Sequence, residues 1–149
     1  ADAYHLTSGS PDGAGAQVAM RQAIKMAGLT PDDIGYVNAH ATSTEVGDNA
    51  EINGIRNLFG DRGQSLAVSS TKSATGHMLG AAGAMEAGIS ILALRDQKLQ
   101  PTRNLDDPEP VAAQFDLVPK VPKPKALKHV LSNSFGFGGA NAALVFSAV

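Results

Sequence analysis

The sequence predicts an α/β fold with a mostly parallel sheet, helices on both of its faces and an antiparallel hairpin at the end. Short apolar strands alternate with helical patterns along most of the chain, as they do in parallel sheets. The last two apolar runs, residues 130–132 and 143–146, flank a glycine-rich turn, so we expect them to pair as a hairpin. Charged residues are 17% of the chain, below the usual quarter, which indicates extensive burial.

Each predicted element has a local signal. Apolar residues at helical spacing, from Ala16 to Ala27, predict the first helix, and Gly28 fits the left-handed position that ends a helix. Six of the eight prolines fall between residues 97 and 125, which we expect to be an irregular surface excursion. In chain order the elements are this helix, a helical turn at 30–33, a strand at 35–39, a helix at about 48–59, a strand at 66–69, a helix at about 76–94, a short strand at 115–118 and the hairpin.

The predicted helix over residues 76–94 has an unusual composition, because it carries almost no charge and repeats small residues. Gly76, Gly80, Ala84 and Gly88 lie four residues apart on one face. A glycine inside a helix costs about 1 kcal/mol relative to alanine, and this cost is tolerated where another backbone approaches closely. We therefore expect a central, buried helix that packs on more protein than these 149 residues supply.

The composition excludes several classes of function. The net charge of −2 leaves no large positive field to hold nucleic acid or an anionic membrane. The absence of cysteine excludes a disulfide scaffold, a cysteine-ligated zinc site and a cysteine nucleophile within this chain. No apolar run approaches the roughly 20 residues of a membrane span. The chain starts without a methionine or a signal-peptide pattern, so we expect the numbering to begin inside a longer polypeptide.

The first segment that could carry chemistry is NAHATST, residues 38–44, between a predicted buried strand and a helix. Open parallel sheets bind ligands at the carboxyl ends of their strands, so His40 is well placed to meet one. Thr42 and Thr44 add two hydroxyls in the same loop. The alternative is a histidine buried in the core with Thr44 as a helix cap, and the local sequence does not decide between the two.

The second segment is SSTKSATGH, residues 69–77, which follows a predicted strand and leads into the predicted small-residue helix. We expect His77 at the start of that helix, where the helix dipole lowers the pKa of a histidine and favours the neutral imidazole. Such an imidazole can donate an N–H to a developing oxyanion, and Lys72 can orient a carboxylate or help to keep a histidine neutral. The alternatives are a capping histidine and a solvent-facing lysine. A phosphate-binding loop is disfavoured, because the P-loop spacing is absent.

The third segment is SNSFGFGGAN, residues 132–141, in which three glycines surround Phe137. A turn of this kind can present a backbone N–H to an oxyanion or move an aromatic gate. The alternative is a simple hairpin turn with a buried phenylalanine. Separately, Glu86 is an isolated carboxylate in an apolar helix and needs a partner, either a lysine or a monovalent cation.

In this order, and with LGAAGA after the second, the three segments resemble the C-terminal half of the β-ketoacyl-acyl carrier protein synthases. These are the elongating condensing enzymes of fatty-acid synthesis, and they have the thiolase fold. The resemblance covers essentially the whole chain and implies one C-terminal thiolase-like domain, residues 1–149, with layered α/β/α architecture. It also implies an acyltransferase that condenses acyl and malonyl thioesters with loss of CO2. The nucleophilic cysteine belongs to the family's N-terminal half, so we expect this chain to be inactive by itself.

The resemblance implies roles for residues of all three segments. His40 and His77 would hold the thioester carbonyl of the malonyl group and stabilise its enolate, and Lys72 would support the pair. Phe137 would be the gate, and its backbone N–H one half of the acyl oxyanion hole. Three threonines would contact the pantetheine arm: Thr7, Thr42 and Thr44. Three oxygen-bearing side chains would hold a structural Na⁺ or K⁺ ion: Asn38, Glu86 and Asn133.

The implied partners are acyl carrier protein, the N-terminal half of the same enzyme and a second copy in a homodimer, without nucleic acid or a membrane span. The family requires no cofactor, because its substrates ride on the carrier's phosphopantetheine. The compartment would be the cytoplasm, or a mitochondrion or plastid in a eukaryote. Ala41 stands where many relatives have glycine, and a positive φ there would cost strain.

Two alternatives stay open. One is a thiolase-like enzyme that acts on coenzyme A esters, against which the motif at residues 40–44 counts. The other is a non-catalytic subunit, similar to a chain-length factor, that pairs with a cysteine-bearing half. The absent cysteine is the sole support for this second alternative, and the presence of His40, His77 and Lys72 counts against it.

Overall fold

The computed structural model describes residues 1–149 and builds them around a four-stranded sheet. Six strands are present: β1 (Tyr36–Asn38), β2 (Ala67–Ser69), β3 (Lys98–Leu99), β4 (Lys123–Pro124), β5 (His129–Gly136) and β6 (Ala140–Ser147). Four α-helices accompany them: α1 (Ala14–Met26), α2 (Glu45–Phe59), α3 (Lys72–Thr75) and α4 (Ala82–Asp96). No helix combines the length and the apolar character that crossing a membrane requires.

The strand order of the main sheet is β2-β1-β5-β6. Strand β1 runs parallel to both β2 and β5, and β6 is antiparallel to β5. In register, Asn38 at the end of β1 lies beside Ser69 of β2 and Ser132 of β5. The predicted mixed sheet and closing hairpin are therefore confirmed, and three carboxyl ends of parallel strands meet at one edge.

Helices cover both faces of this sheet, which confirms the predicted α/β/α layers. Adjacent residues of β1 belong to different cores, because successive side chains of a strand point to opposite faces. Val37 packs with Met20 of α1 and Ile55 of α2, whereas Tyr36 packs with Leu94 of α4. Helices α1 and α2 thus share one face, and α4 lies on the other.

The first helices agree with their signals, with small shifts. Helix α1 follows Gly13 and ends before Gly28, whose φ of 71° is the left-handed conformation expected there. Helix α2 starts at Glu45, three residues before the expected start, and ends at Gly60 as predicted. The predicted turn at 30–33 is a single turn of 3-10 helix, in which the Asp33 carboxylate accepts the Thr30 backbone N–H at 2.8 Å.

The single long helix predicted over residues 76–94 is wrong. The structure has the short helix α3, then a break at residues 76–78, then one 3-10 turn and α4. Gly76 and Leu79 adopt φ of 75° and 50°, which no continuous helix allows. A Cβ on Gly83 would lie 3.0 Å from Ser134 Oγ, whereas one on Gly80 or Gly88 would meet no atom within 4 Å, so the close approach expected at these two glycines stays a prediction about further protein.

The outer face of α4 is apolar and exposed. Met85, Ile91 and Leu92 are each between 43% and 50% exposed, while Glu86 and Ser90 on the opposite face are buried. The 149 residues therefore cover only one side of this helix. The sequence-based expectation that this segment packs on additional protein stays a prediction.

The excursion at 97–125 differs from its prediction in two ways. It contains the small antiparallel pair β3–β4, which no pattern indicated. The predicted strand at 115–118 shrinks to one bridge between Ala67 and Asp116. Val118 and Lys120 have φ of 47° and 66°, so the backbone turns away before a strand can form.

Candidate active site

The loops that follow the parallel strands line one open cavity of about 910 Å³. His40 from the loop after β1 and His77 from the loop before α4 both line it, as does Phe137 from the turn between β5 and β6. The three threonines singled out in the sequence line the same cavity: Thr7, Thr42 and Thr44. The fold thus brings together the two histidines, the aromatic residue and the threonines that the three motifs suggested.

A second cavity, of about 730 Å³, lies behind the first, between α2 and the excursion. Lys72 and Arg103 contribute its cationic groups. Glu51 and His77 line both cavities, so they form part of the wall between them.

A buried carboxylate holds the backbone at His40. Glu51 of α2 is only 4% exposed. Its Oε1 accepts the His40 backbone N–H at 3.0 Å, and its Oε2 accepts the Ala41 N–H at 2.8 Å. Asn133 of β5 donates its side-chain N–H to the same Oε1 at 2.9 Å. Burial raises the pKa of the Glu51 carboxyl, and the three N–H donors partly offset this by favouring the ionised form.

The imidazole of His40 is held in the neutral form. Partial burial lowers its pKa to about 4, and the neighbouring Lys72 ammonium and His77 ring act in the same direction. Its Nδ1 is buried without a hydrogen-bond partner, and its ring lies against Phe135 with centroids 5.8 Å apart. A neutral imidazole carries one N–H that can donate to an oxygen in the cavity.

His77 stands edge-on to His40, with ring centroids 5.4 Å apart and planes at 88°. It is exposed and lies in the break between α3 and α4, not at the start of a helix. It precedes the 3-10 turn by two residues and lies outside the first turn of α4. The two rings nevertheless face the same space.

Lys72 and Glu86 form a buried ion pair, whose side chains are 4% and 1% exposed. Of the two partners that the sequence allowed for Glu86, the structure provides the lysine, and a solvent-facing Lys72 is wrong. Burial raises the pKa of Glu86, and the ammonium of Lys72 opposes this shift. The pair places a positive charge near His40, which disfavours protonation of that ring.

The three suggested cation ligands make separate contacts. The Asn38 amide donates to the Glu86 backbone carbonyl at 3.2 Å, and the Asn133 amide donates to Glu51. Two buried oxygens nevertheless have no hydrogen-bond partner, Glu86 Oε2 and Asn133 Oδ1. These oxygens face opposite sides of the sheet, because Asn133 bonds Glu51 of α2 and Glu86 belongs to α4, so only Glu86 Oε2 is available to a cation on the side of Asn38.

The glycine-rich turn between β5 and β6 is held from outside the hairpin. Gly138 and Gly139 have φ of 75° and 73°. The Gly138 N–H donates to the Leu6 carbonyl at 2.7 Å, and the Asp2 N–H donates to the Gly139 carbonyl at 3.0 Å. Phe137 is 80% exposed, so the alternative of a buried phenylalanine is wrong.

Three residues differ from what the sequence predicted or had no predicted role: Ala41, Glu51 and Ser70. Ala41 has no positive φ, so its side chain causes no backbone strain. Glu51 was missed, although it precedes Ile55 and Leu58 on one helical stripe, where a carboxylate is out of place. Ser70 lies in the second segment, but the sequence analysis gave it no role of its own.

Known proteins are similar to this chain over nearly its whole length. The family model described as "Beta-ketoacyl synthase, C-terminal domain" matches residues 1–106. The 3-oxoacyl-[acyl-carrier-protein] synthase 2 of Vibrio harveyi is 51% identical over 149 residues, which are 99% of this chain and 36% of that protein. The protein of the same name from Staphylococcus aureus is 48% identical over 97% of the chain and 36% of its own length. The chain thus spans about a third of the length of these relatives.

Solved structures agree. A β-ketoacyl synthase from Burkholderia phymatum superposes with a TM-score of 0.91 at 38% identity, over 99% of this chain and 35% of that one. A ketosynthase in complex with its type II polyketide acyl-carrier protein, bound to a hexaketide, superposes with a TM-score of 0.94 at 33% identity, over 99% and 36% of the two chains. The motifs, the layered fold and these matches show that the chain belongs to the β-ketoacyl synthase family and corresponds to its C-terminal domain.

Proposed function

We propose that the chain is the C-terminal part of a β-ketoacyl-acyl carrier protein synthase that condenses acyl and malonyl thioesters in fatty-acid elongation. The observation that carries this proposal is the His40–His77 pair in one cavity, with His40 kept neutral. Two imidazole N–H groups aimed at one oxygen would stabilise the enolate that forms when a malonyl thioester loses CO2.

The proposed reaction begins with decarboxylation of the malonyl group. The bond between the α-carbon and the carboxylate of the malonyl group breaks, and CO2 leaves. The electron pair forms an enolate, whose oxygen accepts N–H bonds from His40 and His77. The enolate carbon then attacks the acyl thioester on a cysteine of the N-terminal half, and the cysteine sulfur leaves as a thiolate. The product is a β-ketoacyl thioester on the carrier protein.

Other residues of the site have supporting roles in this proposal. The buried ammonium of Lys72 keeps His40 neutral, and Phe137 gates the cavity and offers its backbone N–H to the acyl oxyanion. The threonines hold the pantetheine arm of acyl carrier protein: Thr7, Thr42 and Thr44. The hydroxyls of Thr42 and Thr44 are 3.2 Å apart, so one arm can contact both.

The apolar outer face of α4 supports a partner domain. We propose that the N-terminal, cysteine-bearing part of the enzyme covers Met85, Ile91 and Leu92, and that the whole enzyme is a homodimer. Residues 1–149 form its C-terminal thiolase-like domain. A structural Na⁺ or K⁺ ion beside Asn38 and Glu86 Oε2 would neutralise charge in the buried network and take no part in the reaction. The side chain of Asn133, which bonds Glu51, would have to turn to join it.

The intact mass of the polypeptide in its native source is the first test. The proposal expects a mass more than twice the 15.3 kDa of this chain, with a cysteine upstream. A mass near 15.3 kDa would favour the alternative of a non-catalytic subunit. Condensation after this chain is combined with a cysteine-bearing half would in turn exclude that alternative.

The second test separates the proposal from a thiolase-like enzyme. The complete polypeptide is incubated with malonyl-acyl carrier protein, and release of CO2 is followed. In a parallel sample, thiolysis of acetoacetyl-coenzyme A is followed. We expect CO2 release without thiolysis, and the opposite result would replace the proposed function with that of a coenzyme A-dependent thiolase.

A further inference from the structure

We propose that Ser70 is a positioning residue that fixes the distance between the two histidine loops. Its hydroxyl donates to the Ala41 carbonyl at 2.8 Å. Ala41 follows His40, and Ser70 precedes Lys72 by two residues and His77 by seven. One hydrogen bond thus joins the loop of the first histidine to the loop of the second. The inference rests on the proposed function of these histidines.

The peptide groups around Ala41 are held from opposite sides. The Glu51 carboxylate accepts the Ala41 N–H, and the Ser70 hydroxyl bonds the Ala41 carbonyl. Without Ser70, the backbone after His40 would keep its link to α2 and lose its link to the neighbouring loop.

Ser70 is itself fixed in place. It is 6% exposed, and its backbone N–H donates to the Thr102 hydroxyl at 3.0 Å. Its carbonyl accepts the Ser73 hydroxyl at 2.8 Å. Because the residue is anchored on the excursion and on α3, its hydroxyl can define the position of Ala41.

Other bonds between the two loops lie closer to the strands. The Ala39 N–H donates to the Ser69 carbonyl at 2.8 Å, and the Thr71 hydroxyl donates to Asn38 Oδ1 at 3.3 Å. Both bonds involve residues that come before His40 in the chain, so they fix the end of β1. The Ser70 bond reaches Ala41, the residue after His40, and it therefore restrains the direction of the imidazole.

The test compares Ser70→Ala with Ser69→Ala in the complete enzyme. Ser69 is also buried, and its hydroxyl bonds Tyr36 and the Gln100 carbonyl, away from the histidine loops. A shift of about 1 Å at a catalytic group costs roughly a hundredfold in rate. We expect Ser70→Ala to lower kcat for CO2 release about ten- to a hundredfold, with KM for the malonyl carrier changed less than about twofold.

Ser69→Ala should lower the melting temperature at least as much as Ser70→Ala and keep kcat within about threefold of the parent. Ser70→Thr, which keeps the hydroxyl, should retain most of the activity. Equal kcat values for Ser70→Ala and Ser69→Ala would overturn the positioning role, because both serines would then act only through stability.

A second readout separates this inference from the proposed function. If the parent enzyme releases no CO2, the proposed function fails, and the imidazole of His40 still reports its own position by NMR. We expect Ser70→Ala to weaken the NOE contacts between the rings of His40 and Phe135, whose centroids lie 5.8 Å apart in the parent, because the released loop lets the imidazole turn. Unchanged contacts in Ser70→Ala would overturn the positioning role.

Discussion

The loops of His40 and His77 leave neighbouring parallel strands at the same edge of the sheet, yet the chain holds them differently. His40 is half-buried, and the Glu51 carboxylate bonds its backbone. His77 is exposed, in a break between helices where Gly76 and Leu79 adopt left-handed backbone conformations.

The two members of the proposed histidine pair therefore owe their surroundings to different parts of the molecule. Burial and a nearby ammonium set the charge state of His40 within these 149 residues. His77 is exposed, so its surroundings are completed only by protein that covers this face of the chain. The 149 residues therefore fix the environment of His40 by themselves and leave that of His77 open on one side.

The largest effect on stability is expected at the buried ion pair of Lys72 and Glu86. Lys72→Met should lower the free energy of unfolding by about 3–5 kcal/mol, because it leaves the Glu86 carboxylate buried without its partner. The measurement is urea-induced unfolding. Adding Glu86→Gln to the same protein should recover much of the loss, since the uncompensated charge is then gone. A double variant as unstable as the single one would show that packing, not charge, dominates here.

The second-largest effect on stability is expected at Glu51, whose carboxylate accepts the backbone N–H groups of His40 and Ala41. Glu51→Ala removes the acceptor of three N–H groups, from His40, Ala41 and Asn133, and should cost about 2–4 kcal/mol. The matched control is Glu45→Ala, an exposed acid in the first turn of the same helix, with an expected loss below about 1 kcal/mol. Similar losses of stability in the two variants would mean that the Glu51 carboxylate does not hold the His40 loop.

The titration of His40 sharpens the contrast between the loops. NMR of its imidazole should show a midpoint near pH 4 and no protonation step between about pH 5.5 and 8. The unfolded chain binds this proton below about pH 6.5. His40 therefore favours unfolding progressively as the pH falls from 6.5 to 4. A midpoint above about 6 would contradict the assigned neutral imidazole.

The smallest effect on stability is expected at the gate. Phe137 is 80% exposed, so Phe137→Ala should change the free energy of unfolding by less than about 0.5 kcal/mol. In the complete enzyme the same variant should disturb the order of acyl loading and malonyl binding, which rapid-quench kinetics would follow. An unchanged order and unchanged rates would show that Phe137 is not a gate.

Sequence patterns predicted the α/β/α layers, a mostly parallel sheet and the loops that carry the three motifs, because alternating apolar strands and helix stops are local signals. They failed at residues 76–81, where the backbone breaks at Gly76 and Leu79 although small residues continue the helical pattern. They also missed the contacts of Glu51 and Ser70. Those contacts join residues 10 and 29 positions apart, and only the folded sheet brings them together.

The most direct test of the central claim is CO2 release by the His77→Ala variant of the complete enzyme. Release from malonyl-acyl carrier protein should fall by two or more orders of magnitude, while the cysteine is still acylated, because the role proposed for the ring concerns the enolate alone. His129→Ala, at the far end of β5 where the ring bonds Ser147, is the control and should behave as the parent. Unchanged CO2 release by His77→Ala would contradict the role of the histidine pair.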